Sequence, residues 1–141
     1  MDIRVRVFKF RRGSDPEKLR LGFRSRNPGA IVQAVRTGAA SNAFFLEMLA
    51  AQTLRAMVSG SLVAKKAEID FLLRLAGDSQ ITRAMARVGV QDGEDFLLVV
   101  ASRGRIAVPP GHGGRELPSS TLSEDELDGI EKAALLNARR S

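Results

Sequence analysis

Apolar and polar residues alternate at the start of the chain, where Ile3, Val5 and Val7 interleave with Arg4 and Arg6. A period of two is the pattern of a strand with one exposed face. The phase slips where Val7 and Phe8 stand side by side before Phe10, which predicts a bulge or a strand end near Phe8. Ser14-Asp15-Pro16-Glu17 then reads as a helix start, with Asp15 as cap, Pro16 in the first turn and Glu17 near the positive end of the dipole. That helix is expected to finish near Gly22. Asn27-Pro28-Gly29 is a turn, and Ala30 to Arg36 is a second strand.

Three helices follow. The first runs from about Ser41 or Asn42 to Val58, with Phe45, Met48, Leu49, Gln52 and Met57 near one face, and is broken by Ser59-Gly60-Ser61. The second enters through Lys65-Lys66-Ala67-Glu68 and carries a broad apolar face made by Ile69, Leu72, Leu73 and Leu75-Ala76. Gly77 suits the left-handed cap that closes it. Asp78 or Ser79 caps the third, which repeats Ile81, Ala84, Met85 and Val88 at helical spacing before Gly89.

The rest of the chain returns to strand patterns. Phe96 to Ala101 is a continuous apolar run, expected of a strand covered on both faces. Arg105-Ile106-Ala107-Val108 is a further short strand candidate, and Pro109 to Gly114 a flexible loop. Ser123 and Glu126 make a capping box for a last helix carrying Leu127, Ile130, Ala134 and Leu135 on one side. No internal repeat and no long linker divides these elements, so residues 1–141 read as a single α+β domain. Its helical layer packs on a small mixed or antiparallel sheet.

Composition removes several chemistries. With no Cys and one His in 141 residues, disulfides, thiolate catalysis, cysteine zinc sites and multi-histidine metal centres are excluded, and no cofactor is expected. Gly111-His112-Gly113-Gly114 lacks the Lys and following Ser/Thr of a phosphate-binding loop, and His112 has no nucleophile or orienting acid nearby in sequence. Glu68 and Asp70 lie two apart on a helix and so face different ways. The chain thus reads as non-catalytic. It has no apolar run of signal-peptide or membrane-spanning length, so it is expected to be cytoplasmic, with no membrane partner.

Charge points to an anionic partner. The net charge is +6, but residues 1–40 alone carry +7 and the remainder −1. Nucleic acid is the leading class for such a basic segment. Lys65, Lys66, Arg74, Arg83 and Arg87 also surround the corner between the second and third of the three helices. There the first backbone N–H groups of a helix would suit a phosphate or a base edge. A stand-alone helix-turn-helix DNA-binding regulator is the alternative, because Leu75-Ala76-Gly77-Asp78 is similar to its short turn.

The block AEIDFLLRLAGDSQITRAMARVGVQDGEDFLLVVAS, with NAFFLEMLAAQTLRAMVSGSLVAKK before it, resembles the accessory subunit of the KEOPS complex that binds the complex's small atypical kinase. The resemblance covers roughly residues 30–102. It implies a non-catalytic role in making threonylcarbamoyladenosine on tRNA, in which the subunit binds and stimulates the kinase/ATPase and holds the single-stranded 3′ CCA end. The helix corner supplies donors and the basic residues supply charge, so Lys65, Lys66, Arg74, Ser79, Gln80, Ile81 and Arg83 are the candidate tRNA contacts. With no Trp or Tyr, stacking on an unpaired base falls to Phe or to Arg planes. A helical, largely hydrophobic kinase interface is implied as well. Leu127, Ile130, Ala134 and Leu135 either form it or complete the core.

Overall fold

The computed structural model describes residues 2–40, 42–118 and 121–122. In chain order the elements are β1 (Ile3–Phe10), α1 (Pro16–Arg26), β2 (Ile31–Arg36), α2 (Ala43–Ser59), α3 (Ala67–Ala76), α4 (Ile81–Val88), β3 (Phe96–Ser102), β4 (Arg115–Glu116) and β5 (Thr121–Leu122). β3 lies between β2 and β1 and is antiparallel to both, while the short β4 and β5 pair with the other edge of β1. The architecture is α+β, with an antiparallel sheet.

Both faces of the sheet are covered, and this explains the phase slip in β1. Ile3, Val5 and Val7 join Ile31, Val35, Leu97 and Val99 in the core beneath α2 and α3. Phe8 and Phe10 join Val32, Ala34, Leu98 and Val100 in a second core beneath α1. Pairing with β3 runs without interruption from Arg4 opposite Ser102 to Phe10 opposite Phe96, so no bulge forms near Phe8. The strand simply acquires an apolar residue on its second face once that face is covered. Phe96 to Ala101 is buried on both sides, as its unbroken apolar run requires.

Three helix expectations need correction. Helix α1 passes through Gly22 and ends at Arg26, because Phe23 is fully buried and Asn27 supplies the cap. In α2 the buried face is centred on Leu46, Leu49, Ala50, Thr53 and Leu54, whereas Phe45 is exposed and Met48, Gln52 and Met57 are half-buried. The small Ala50 and Ala51 let that side approach the sheet and so choose the face. In α4, Gln80 is the cap residue; Ala84 and Val88 are buried, and Ile81 and Met85 are exposed.

The segment after β3 also departs from expectation. Residues 105–108 form no strand, because the buried Asn27 amide engages Ala107 instead. The loop through Gly111 to Gly114 is not a loose connection. His112 packs against Phe8, Phe10 and Phe23 with ring centroids 5.3, 5.8 and 5.7 Å away, and its Nδ1 accepts the Gly114 N–H at 2.9 Å. Arg6 closes the same layer: its guanidinium lies 5.3 Å from the Phe8 ring centre and donates to Glu116 and to the Ile106 carbonyl. The last helix expected from Ser123, with Leu127, Ile130, Ala134 and Leu135, lies outside the described residues. Among the described residues no helix is long and apolar enough to cross a membrane.

Candidate nucleic-acid interface

Helix α3 ends in the left-handed turn that Gly77 permits, with φ 66° and ψ 33°. The Gly77 N–H donates to the Arg74 carbonyl and the Asp78 N–H to the Leu73 carbonyl, which satisfies two of the carbonyls orphaned at the helix end. The chain leaves this turn with Asp78, whose Oδ1 accepts the Gln80 N–H at 2.9 Å. Helix α4 begins at Ile81 with no side-chain cap and no acidic residue in its first turn.

Beside this corner runs a groove of about 410 Å³, lined by Val63, Asp70, Leu73, Arg74, Gly77, Asp78 and Ser79. Its floor is held by a buried carboxylate. Asp70 is 1% exposed; it receives the Arg74 guanidinium one turn along and accepts the Val63 and Ala64 N–H groups at 2.6 and 3.0 Å. Burial pushes the Asp70 carboxyl up, but Arg74 and the two N–H donors outweigh it and hold the group below its ordinary value. The loop before α3 is thereby fastened along the helix, and it leaves the Val63 side chain 85% exposed at the rim.

The cations near the corner are engaged within the fold. Arg83 donates from Nε to Asp78 Oδ2 at 2.8 Å and from Nη2 to Oδ1 at 3.1 Å. That guanidinium, followed by the Gln80 N–H, pulls the Asp78 carboxyl from 3.8 to about 2. Arg87 reaches back to the Ala76 carbonyl at 3.3 Å, placing a positive charge on the negative end of α3. Although so engaged, Arg83 and Arg87 stay exposed, beside the exposed Ser79, Gln80, Ile81 and Thr82, with Met85 one turn beyond Ile81.

The structure brings together Arg74, Ser79, Gln80, Ile81 and Arg83 from the expected set and separates Lys65 and Lys66. Neither lysine lines the groove at Gly77, although Val63 just before them does. Lys66 instead borders a second depression of about 490 Å³ with Glu17, Arg20, Arg24, Gln33 and Glu68. There Arg20 pairs with Glu17 and Arg24 with Glu68 at 2.7 Å. Asp70, Asp78 and Val63 belong to the corner although they were not among the candidates. The four-residue spacing of Asp70 and Arg74 was the available signal for one of them.

No protein-family model matches the chain, and no curated protein matches it.

Proposed function

We propose that this chain is a non-catalytic, cytoplasmic accessory subunit of a KEOPS-type complex, acting in threonylcarbamoyladenosine formation on tRNA. In this reading the α3–α4 corner holds the unpaired 3′ CCA end. The segment carrying Leu127, Ile130, Ala134 and Leu135 meets the complex's kinase/ATPase subunit. The observation that supports the tRNA contact is the groove at Gly77, which combines apolar Val63 and Leu73 with the Arg74 plane and the exposed Ser79, the exposed Gln80 following next in the chain. An unpaired nucleotide asks for that combination: a surface to stack on, and a few donors for base edges and phosphate.

The test compares a tRNA transcript with the same transcript lacking CCA, titrated against the full chain and against Ile81→Glu. Ile81 is 51% exposed, so the substitution leaves the core intact. The reading requires tighter binding of the CCA-bearing tRNA, and a fall in the variant to the level of the truncated one. Equal binding of both transcripts by the unaltered chain would sink it. The DNA-regulator reading draws on the exposure of Thr82, Arg83, Ala86 and Arg87 along α4. Preference for duplex DNA over either transcript would favour it. For the kinase, the expected result is stimulated ATP hydrolysis on adding the full chain, lost with Ile130→Glu.

A further inference from the structure

Ten Lys and Arg fall within residues 1–40. Four are engaged in ion pairs inside the fold: Arg6 with Glu116, Arg20 with Glu17, Arg24 with Glu68 and Arg36 with Glu94. Two of the others, Lys9 and Arg11, converge with Arg115 on a groove of about 540 Å³ that also takes in Gly113 and Gly114. None of the three makes an ion pair among the described residues. Among the described residues Asp95 is the one carboxylate on that lining, and its Oδ1 already accepts the Arg12 backbone N–H at 2.8 Å.

The pairing of β1 with β4 sharpens the point. Lys9 stands directly opposite Arg115 across the antiparallel ladder. Like charges in that relation repel and weaken the pair unless an anion lies between them. The same two residues also line an adjoining depression of about 260 Å³, which reaches Asn42 and Ala43 at the start of α2. Two depressions sharing two cations make a track and not a pocket around a single ion. Among the described residues the track shares no lining residue with the groove at Gly77.

We propose that Lys9, Arg11 and Arg115 form a sequence-independent track for the phosphodiester backbone of RNA. It is a second contact, apart from the one assigned to the 3′ end, and rests on that reading only for the choice of tRNA as probe. Phosphates spaced along a strand would neutralise the facing Lys9 and Arg115 in turn, and their counterion release would make the contact steeply salt-dependent.

The experiment titrates the CCA-bearing and CCA-lacking transcripts against full-length Lys9→Glu/Arg115→Glu and against a charge-matched control, Lys18→Glu/Arg26→Glu. Lys18 and Arg26 are exposed on α1 and line neither depression of the track. The track double should bind both transcripts about tenfold more weakly at low salt, and the slope of log affinity against log salt should shrink by about 1.4 to 1.8, for two lost phosphate contacts. The control should change little. Lys9→Gln/Arg115→Gln, which removes the facing charges without adding new ones, should show the same direction of change if the reversal disturbs folding. Equal losses in track and control doubles would overturn the proposal, since net charge alone would then explain binding. So would a track double that loses poly-L-glutamate but keeps RNA, which would mark a site for an acidic protein. Failure of the CCA reading looks different: the two transcripts bind alike, while the track double still weakens both.

Discussion

The side-chain amide of Asn27 makes with Ala107 the two hydrogen bonds that a neighbouring strand would otherwise offer. Its Oδ1 accepts the Ala107 N–H at 2.7 Å and its Nδ2 donates to the Ala107 carbonyl at 2.7 Å, and also to the Phe23 carbonyl at 2.8 Å. The C-terminal cap of α1 is thus tied to the segment that follows β3. Asn27→Ala should cost about 2 kcal/mol or more, because buried backbone groups lose their partners. Asn27→Asp should do no better, since a carboxylate cannot donate to either carbonyl. Urea unfolding measures both, and faster hydrogen exchange at Ala107 should localise the loss.

Gly114 is fixed by what lies above it. A Cβ there would sit 2.6 Å from the Phe10 ring, which is buried and stacked on Phe96, and so has nowhere to move. Gly114→Ala should destabilise the protein by about 1–3 kcal/mol through overpacking. His112→Ala should act by the opposite route, leaving Phe8 and Phe23 with a void where the imidazole edge packed. Thermal melts of the two variants, with dye binding to exposed apolar surface only in His112→Ala, would separate the mechanisms.

At Gly77 there is ample space but the wrong backbone. Nothing lies within 4 Å of an added Cβ, yet φ is 66°. Gly77→Val should therefore cost about 1–2 kcal/mol from conformation alone, and Gly77→Asn distinctly less, because asparagine tolerates the left-handed region. Equal unfolding midpoints for the two would contradict a conformational origin. In the proposed function Gly77→Val should also weaken binding of the CCA-bearing tRNA, since the same turn positions Ser79 and Gln80.

Local signals were legible where chemistry is carried by neighbours in sequence. The cap at Asp15, a helix start at Ser41 or Asn42, the left-handed Gly77 and the two-sided strand from Phe96 could be read directly. Asp15 and Asn42 accept backbone N–H groups as a cap residue should. What could not be read was anything decided by distant partners. The face of α2 depends on which small residues meet the sheet, and residues 105–108 yield their strand bonds to Asn27, 80 positions away. The corner could be anticipated from Gly77, but the commitment of Arg83 to Asp78 and of Arg74 to Asp70 could not be told from free surface charge.

The acid limb of the stability profile should follow the carboxylates that the fold holds ionised. Asp70, Asp78, Glu17 and Glu116 all titrate below their ordinary values, each against an arginine, with burial opposing the shift most strongly at Asp70. A carboxyl depressed in the folded state stabilises the protein above its unfolded value, and that stabilisation is lost as pH falls through the folded one. For Asp70 the window therefore opens near pH 3.8 and extends below it. Asp70→Asn keeps one acceptor for the Val63 and Ala64 N–H groups but loses the charge that holds Arg74. At pH 7 it should unfold more easily by about 2 kcal/mol, in the range for a buried charge-assisted bond. As pH falls below 4 the gap between variant and parent should narrow, because the parent loses what the variant never had. Parallel melting curves from pH 7 to pH 2.5 decide this: a gap constant across that range would mean Asp70 contributes by shape and not by charge.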